Sequence, residues 1–141
     1  MNAAYLWAQL EMADEIQNCR MNIWNRYYKE FKALEESGKL RLPIIPADCT
    51  HNAHMFYLIT RSLEERTAFI KFMREKDILA VFHYIPLHSA PAGLKYGHFD
   101  GDDEVTTSYS ERLVRLPLYY KLTDEDLQTV INAVKEFYKG R

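Results

Sequence analysis

Hydrophobic positions in the first 36 residues recur at intervals of three and four. The series consists of Leu6, Leu10, Ala13, Ile16, Ile23, Tyr27, Phe31 and Leu34. Neither proline nor glycine interrupts residues 2–36, so this spacing predicts one long helix over that range. Ser37 and Gly38 follow it, and glycine readily adopts the left-handed conformation that closes a helix C-terminus.

The start of this helix is apolar on nearly every side. Of residues 3–13, only Gln9 and Glu11 are polar. A helix that is apolar all round must be enclosed all round. Two interpretations are open: Tyr5 and Trp7 contribute to a small core of this chain, or this end packs against another domain or subunit. We favour the second, because the apolar residues that follow suffice for a single layer.

Two apolar runs, residues 54–60 and 78–84, predict buried strands, since β-branched and aromatic residues fit a pleated sheet. Between them, Ser62 and Glu65 match a capping box that opens a helix extending to about Lys76. This connection is long enough for a crossover between parallel strands. Residues 40–46, bounded by two prolines, form either an edge strand or an extended connector.

The C-terminal part contains a glycine-rich loop and two more helices. Residues 89–101 form the loop, residues 102–113 a short helix and residues 115–120 an extended piece. Thr123 starts a last helix with a clear apolar stripe. The predicted class is α+β: a long N-terminal helix and a small mixed sheet of three or four strands covered by helices, with the two longer strands parallel. We assign residues 1–38 to the long helix and residues 39–141 to a small C-terminal domain.

Composition narrows the classes of function. The net charge of -2 over 141 residues gives no reason to expect nucleic acid as a partner. No apolar run approaches the roughly 20 residues of a membrane helix, and the N-terminus lacks the pattern of a signal peptide. We therefore expect a cytoplasmic protein without a membrane partner. Cys19 and Cys49 lack the spacing of a metal site and are expected to be free thiols.

Candidate chemistry gathers at the end of the second apolar run. His83, Tyr84 and His88 follow it, and imidazole and phenol groups can form hydrogen bonds or transfer protons at a cleft. The alternative is an ordinary core histidine and an ordinary core aromatic residue. His51 and His54 do not predict a metal site, because their spacing suits a helix whereas their neighbours favour a strand.

Four stretches together carry a family resemblance: residues 2–11, 52–57, 81–88 and 110–118. The two most specific are His-Tyr-Ile-Pro-Leu-His at 83–88 and Ser-Glu-Arg-Leu-Val-Arg-Leu-Pro-Leu at 110–118. In this order they resemble the C-terminal portion of the sugar-nucleotide aminotransferases of the DegT/StrS type. These are fold-type-I enzymes that use pyridoxal phosphate (PLP), and the resemblance covers essentially the whole chain.

The resemblance implies a fragment of an enzyme that transfers an amino group from glutamate to a 4-keto-6-deoxy nucleotide sugar and forms homodimers. It implies that the small C-terminal domain lacks the large domain carrying the PLP lysine, on which residues 1–38 would pack. His83, Tyr84 and His88 are the expected substrate-binding residues. No catalytic, cofactor-binding or metal-binding residue is expected in this chain, and the following lysines are not assigned to PLP: Lys71, Lys76, Lys95 and Lys121.

These implications include an expected inactivity. PLP and its lysine carry the chemistry, so this chain alone should bind no cofactor and show no turnover. The competing hypothesis is a free-standing binding or oligomerisation module without catalysis, whose apolar N-terminal helix mediates self-association.

Overall fold

The computed structural model describes residues 2–140, which contain six α-helices and a three-stranded sheet. The helices are α1 (Asn2–Glu11), α2 (Ala13–Glu36), α3 (Leu63–Arg74), α4 (Pro91–Tyr96), α5 (Thr106–Arg112) and α6 (Asp124–Tyr138). The strands are β1 (Phe56–Ile59), β2 (Val81–Phe82) and β3 (Leu113–Leu116), and a single 3₁₀ turn spans Leu87–Ser89. The predicted α+β class is confirmed.

The long N-terminal helix is divided at Met12. This residue takes φ −105° and ψ 11°, and its N–H donates to the Gln9 carbonyl, 3.2 Å away, as in a 3₁₀ turn. The prediction of one continuous helix is therefore wrong at this position, because the apolar periodicity carries no signal for a single non-helical residue. At the other end, Gly38 has φ +71°, as predicted for the residue that closes the helix.

The sheet has the strand order β1-β3-β2. β3 pairs antiparallel with both neighbours, Leu58 facing Val114 on one side and Phe82 facing Val114 on the other. β1 and β2 therefore run in the same direction, as predicted, but β3 separates them. Each described strand pairing is therefore antiparallel, whereas the sequence predicted a mixed sheet. Arg41 adds an isolated antiparallel bridge to Ile59, so residues 40–46 act mainly as an extended connector.

The core lies between one face of the sheet and helices α2, α3 and α6. The fully buried side chains with the largest volumes are Tyr27, Tyr138, Phe31, Phe56, Phe69, Leu58, Met73, Ile131, Val114, Val134 and Thr60. Both predicted N-caps are present: Ser62 Oγ accepts from the Glu65 N–H at 3.2 Å, and Thr123 Oγ1 accepts from the Asp126 N–H at 3.1 Å. Each satisfies a backbone donor that the first helical turn leaves free.

The apolar start of the chain lies outside this core. The side chains of Tyr5, Leu6, Trp7 and Leu10 are more than half exposed. The interpretation that they contribute to the core of this chain is therefore wrong. The division into residues 1–38 and 39–141 stays a prediction, and its first and last residues, Met1 and Arg141, lie outside the described residues. α2 itself contributes Ile23, Trp24, Tyr27 and Phe31 to the core.

Candidate functional site

The strand that leads to the candidate site is shorter and more exposed than the sequence predicted. Ile78 and Ala80 are buried, but Val81 and Phe82, the two residues of β2, are 36% and 47% exposed. β2 is an edge strand with two paired residues, so only β3 shields it. The prediction of a buried strand over residues 78–84 is wrong for this second half. The polar residues that follow consequently lie at the surface of the described chain.

Tyr84 is held in an unusual backbone conformation at the end of β2. Its φ is +59°, in the left-handed region that is costly for a residue with a side chain. The Ser110 hydroxyl donates to the Tyr84 carbonyl at 2.7 Å, which fixes this peptide group. The side chain is 73% exposed, so its phenol group is available to a ligand. Tyr84 is not the ordinary core aromatic residue of the alternative interpretation.

His83 is half-buried and contacts Tyr84 directly. The two rings have centroids 4.7 Å apart and are tilted by 60°. Arg115 Nη1 lies 3.4 Å from His83 Nδ1. Because a guanidinium group can only donate, Nδ1 must accept, and the ring proton then resides on Nε2. The His83 ring is therefore braced from β3 and keeps an N–H donor for a ligand.

His88 belongs to a different cluster. Its Nε2 lies 2.7 Å from Asp103 Oδ2 and 3.2 Å from Thr107 Oγ1, and its ring centroid lies 4.6 Å from that of Phe99. The carboxylate accepts, so Nε2 carries the proton. Hydrogen bonds from Thr107, and then from His88, hold the pKa of the Asp103 carboxyl below its usual range. The structure thus joins His83 to Tyr84, whereas His88 ties the 3₁₀ turn to the start of α5.

Two cavities adjoin these residues. One, of about 330 Å³, lies beside Tyr84 and is lined by Leu63, Arg66, Phe82, Tyr84, Ile85, Pro86, Ser89, Thr107, Ser110 and Glu111. The other, of about 450 Å³, lies beside His88 and is lined by Leu87, His88, Ala92, Gly93, Tyr96, Gly97 and His98. The first combines aromatic and aliphatic surface with hydroxyl groups, which suits a partly polar ring.

Sequence reasoning missed three residues that shape this site: Arg66, Ser110 and Arg115. The Arg66 guanidinium lies 5.1 Å from the centre of the Phe82 ring and donates to the Ser110 carbonyl at 3.0 Å. Its burial lowers its pKa from the ordinary arginine value. Ser110 and Arg115 lie in the stretch 110–118 that carries the family resemblance. That stretch was the available signal, but its residues could not be assigned to His83 and Tyr84 without the order of the strands.

None of Lys71, Lys76, Lys95 and Lys121 provides an enclosed amine for PLP. PLP requires an amine enclosed with the cofactor, but the four lysines considered above are exposed. Lys76 pairs with Glu136 at 3.0 Å, and Lys71 lies 3.9 Å from Glu75. Within residues 2–140, no group of three or more histidine, cysteine, aspartate or glutamate side chains could hold a metal ion. None of the helices described there is long and apolar enough to cross a membrane.

Known proteins with similar sequences include a polysaccharide biosynthesis protein and a sugar transaminase. The spore coat polysaccharide biosynthesis protein SpsC of Bacillus subtilis is 32% identical over 149 residues, covering 99% of this chain and 36% of SpsC. A dTDP-3-amino-3,4,6-trideoxy-alpha-D-glucose transaminase of Micromonospora megalomicea subsp. nigra is 28% identical over 142 residues, covering 99% of this chain and 37% of that protein.

The fold is also that of known aminotransferases. The crystal structure of the aminotransferase TlmJ from Streptoalloteichus hindustanus superimposes with a TM-score of 0.80 at 28% identity, covering 94% of this chain and 34% of TlmJ. The chain thus spans about a third of the length of each of these three proteins. The model of the DegT/DnrJ/EryC1/StrS aminotransferase family matches residues 1–135. The chain therefore belongs to the DegT/DnrJ/EryC1/StrS aminotransferase family.

Proposed function

We propose that this chain is the C-terminal part of a PLP-dependent aminotransferase that transfers an amino group from glutamate to a 4-keto-6-deoxy nucleotide sugar. The observation that carries the proposal is the His83–Tyr84 pair, presented at the exposed end of β2 in a chain of this family. The sugar we favour is that of dTDP-4-oxo-6-deoxyglucose, on the resemblance carried together by residues 2–11, 52–57, 81–88 and 110–118. Homodimer formation and a cytoplasmic location remain predictions.

In this proposal His83 and Tyr84 bind the nucleotide sugar. The His83 Nε2–H and the Tyr84 hydroxyl are compact donors suited to the oxygens of a sugar or a diphosphate. The cavity of about 330 Å³ beside Tyr84 provides a surface for a ring. His88 is the third proposed contact, but only its Nδ1 is free for a ligand, because Asp103 and Thr107 occupy Nε2.

The proposal includes inactivity of the chain by itself. PLP supplies the amino-transfer chemistry, and the four exposed lysines do not offer it an enclosed amine. We expect the purified 141-residue protein to show neither transamination nor a PLP absorbance band that borohydride changes. Detecting either would contradict this part of the proposal.

Binding tests the assignment of the substrate contacts. Titration of the chain with a dTDP-sugar, followed by NMR, should show weak binding that Tyr84→Phe or His83→Ala reduces. Tyr5→Phe is a matched control, because Tyr5 on α1 is also an exposed tyrosine, 72% accessible. Binding that is unaffected by the first two substitutions would refute the assignment.

A second candidate function rests on the exposed apolar residues of α1. A free-standing module that self-associates through this face would use Trp7, which is 67% exposed. Trp7→Ala should then lower the oligomeric state measured by analytical ultracentrifugation. Tyr84→Phe and His83→Ala should leave both the oligomeric state and the binding activity of the module unchanged. The aminotransferase proposal requires the substitutions at the site to reduce dTDP-sugar binding.

A further inference from the structure

Arg115 carries a positive charge that no described carboxylate neutralises. Arg115 as a whole is only half-buried, yet its Nε atom is enclosed and has no hydrogen-bond partner among residues 2–140. Two other arginines have acidic partners: Arg61 pairs with Glu65 at 2.8 Å, and Arg26 lies 3.8 Å from Glu30. Leaving an enclosed N–H donor without a partner is costly. Such a group is typical of a site whose anion is supplied by a ligand.

The sheet places Arg115 away from the hydrophobic core. Val114 and Leu116, its neighbours in β3, are buried in the core. Because side chains alternate along a strand, Arg115 projects from the opposite face. Its cross-strand partners there are Tyr57 on β1 and Val81 on β2. The guanidinium group therefore lies on the middle strand, directly beside the strand that leads to His83.

Arg115 contacts His83, and His83 in turn contacts Tyr84. The contact of 3.4 Å from Arg115 Nη1 to His83 Nδ1 uses the acceptor nitrogen of the imidazole, which leaves Nε2–H pointing elsewhere. The phenol of Tyr84, whose ring is tilted against that of His83, adds a hydroxyl donor. A guanidinium with its remaining N–H groups, an imidazole N–H and a phenol O–H together suit an oxyanion.

We infer that Arg115 binds the diphosphate of the nucleotide sugar beside His83. This inference rests on the proposed function and adds an arginine to it: the proposed substrate contacts are histidine and tyrosine side chains, whereas a diphosphate carries negative charge and binds arginine well. The carboxylates of glutamate offer the same oxyanion chemistry. We assign the diphosphate because His83, which contacts Arg115, and Tyr84, which contacts His83, are the proposed contacts of the nucleotide sugar.

The test is a titration of the 141-residue chain with inorganic pyrophosphate at constant ionic strength, followed by ¹⁵N NMR of the His83 ring and the Arg115 Nε. Arg115→Gln should weaken binding by roughly tenfold or more, as expected for loss of a charged hydrogen bond. Arg115→Lys keeps the charge but not the two-pronged geometry, so it should weaken binding less. Arg74→Gln removes the same charge from an exposed position on α3 and should have little effect.

Several results would overturn the inference. Equal weakening by Arg115→Gln and Arg74→Gln would mean that only net charge matters. Arg115-dependent binding of glutamate without pyrophosphate binding would assign the site to a carboxylate. If Arg115→Gln fails to fold, the comparison of Arg115→Lys with the original chain decides, since unchanged pyrophosphate binding in Arg115→Lys contradicts a bidentate site.

The same titrations separate this inference from the proposed function. Pyrophosphate binding that depends on Arg115, without dTDP-sugar binding that depends on Tyr84, would retain the anion site and reject the nucleotide-sugar assignment. Binding of a dTDP-sugar that depends on Tyr84 but not on Arg115 would retain the proposed function and reject the inference.

Discussion

Replacing Tyr27 with phenylalanine would isolate one buried hydrogen bond between the long helix and the segment after β3. The Tyr27 side chain is fully buried, and its hydroxyl donates to the Pro117 carbonyl at 2.9 Å. Its ring contacts those of Phe31 and Phe56, with centroids 5.7 Å and 5.1 Å away. Phenylalanine keeps this packing, so the substitution removes the hydrogen bond and leaves the carbonyl of Pro117 without its partner.

At neutral pH we expect Tyr27→Phe to lower the free energy of unfolding by about 1–2 kcal/mol, the cost of leaving a buried polar group unpaired. The effect should change with pH, because burial, and secondarily the charge of Tyr119, raises the pKa of Tyr27 far above the ordinary tyrosine value. A raised pKa in the folded state contributes stability below the unfolded pKa of about 10 and loses it as pH rises further.

Above pH 10 this loss amounts to about 1.4 kcal/mol for each pH unit, because the unfolded chain ionises Tyr27 and the folded chain does not. The Tyr27→Phe variant does not lose stability in this way, because it has no phenol at position 27 to ionise. The difference of 1–2 kcal/mol at neutral pH should therefore shrink above pH 10 and vanish near about pH 11. Other tyrosines titrate in both proteins, so the comparison between them cancels their contribution.

Urea denaturation followed by circular dichroism, at several values from pH 7 to pH 11, measures both effects. Tyr96→Phe is the control, because Tyr96 is exposed and its substitution should change stability little at any pH in this range. A constant difference between Tyr27→Phe and the original chain at pH 7 and pH 11 would refute the argument that Tyr27 stays protonated. No difference at pH 7 would refute a stabilising bond to Pro117.

Three further substitutions test local features. Ser62→Ala removes the hydroxyl that caps α3 and should cost about 1 kcal/mol in urea denaturation; a cost near zero would contradict the cap. A Cβ on Gly93 would lie 1.7 Å from the Leu87 carbonyl oxygen, so Gly93→Ala should speed amide exchange in α4 but not in α6. Hydrogen bonds from Thr107 lower the pKa of Asp103. Its stabilising contribution is therefore fully present above the ordinary aspartate pKa and is lost as pH falls through the lower pKa of the folded chain. Asp103→Asn should abolish this acid transition in the NMR signals of that region, and a transition that persists would contradict the assignment.

Local signals predicted much of the fold. The stripe of α6 is the clearest case: Leu127, Val130, Ile131, Val134, Phe137 and Tyr138 are all buried. The N-caps of α3 and α6 are equally clear in the sequence, because a hydroxyl residue three positions before a carboxylate residue is typical of an N-cap. In these elements the residues that determine the structure are neighbours in the sequence.

Features that depend on distant residues were not predictable in this way. Burial of Val81 and Phe82 depends on whether another strand covers β2, and composition cannot distinguish an edge strand from a central one. Contacts of the candidate site that depend on strand order were unpredictable for the same reason. The sequence predicted His83 and Tyr84 as candidates, but the Arg115 contact with His83 arises because β3 lies between β1 and β2. The Ser110 bond to Tyr84 likewise requires α5 to lie beside the end of β2.

The distribution of exposed apolar residues favours a domain of a larger enzyme over a self-associating module. A module needs one apolar face, and α1 supplies it. However, a second, separate apolar surface follows β2, where Tyr84, Ile85 and Leu87 are each more than 60% exposed. This second surface surrounds the proposed substrate contacts rather than the proposed self-association face. A chain whose own core is closed, yet which exposes apolar residues at both places, is expected when further protein covers α1 and completes a cleft around Tyr84.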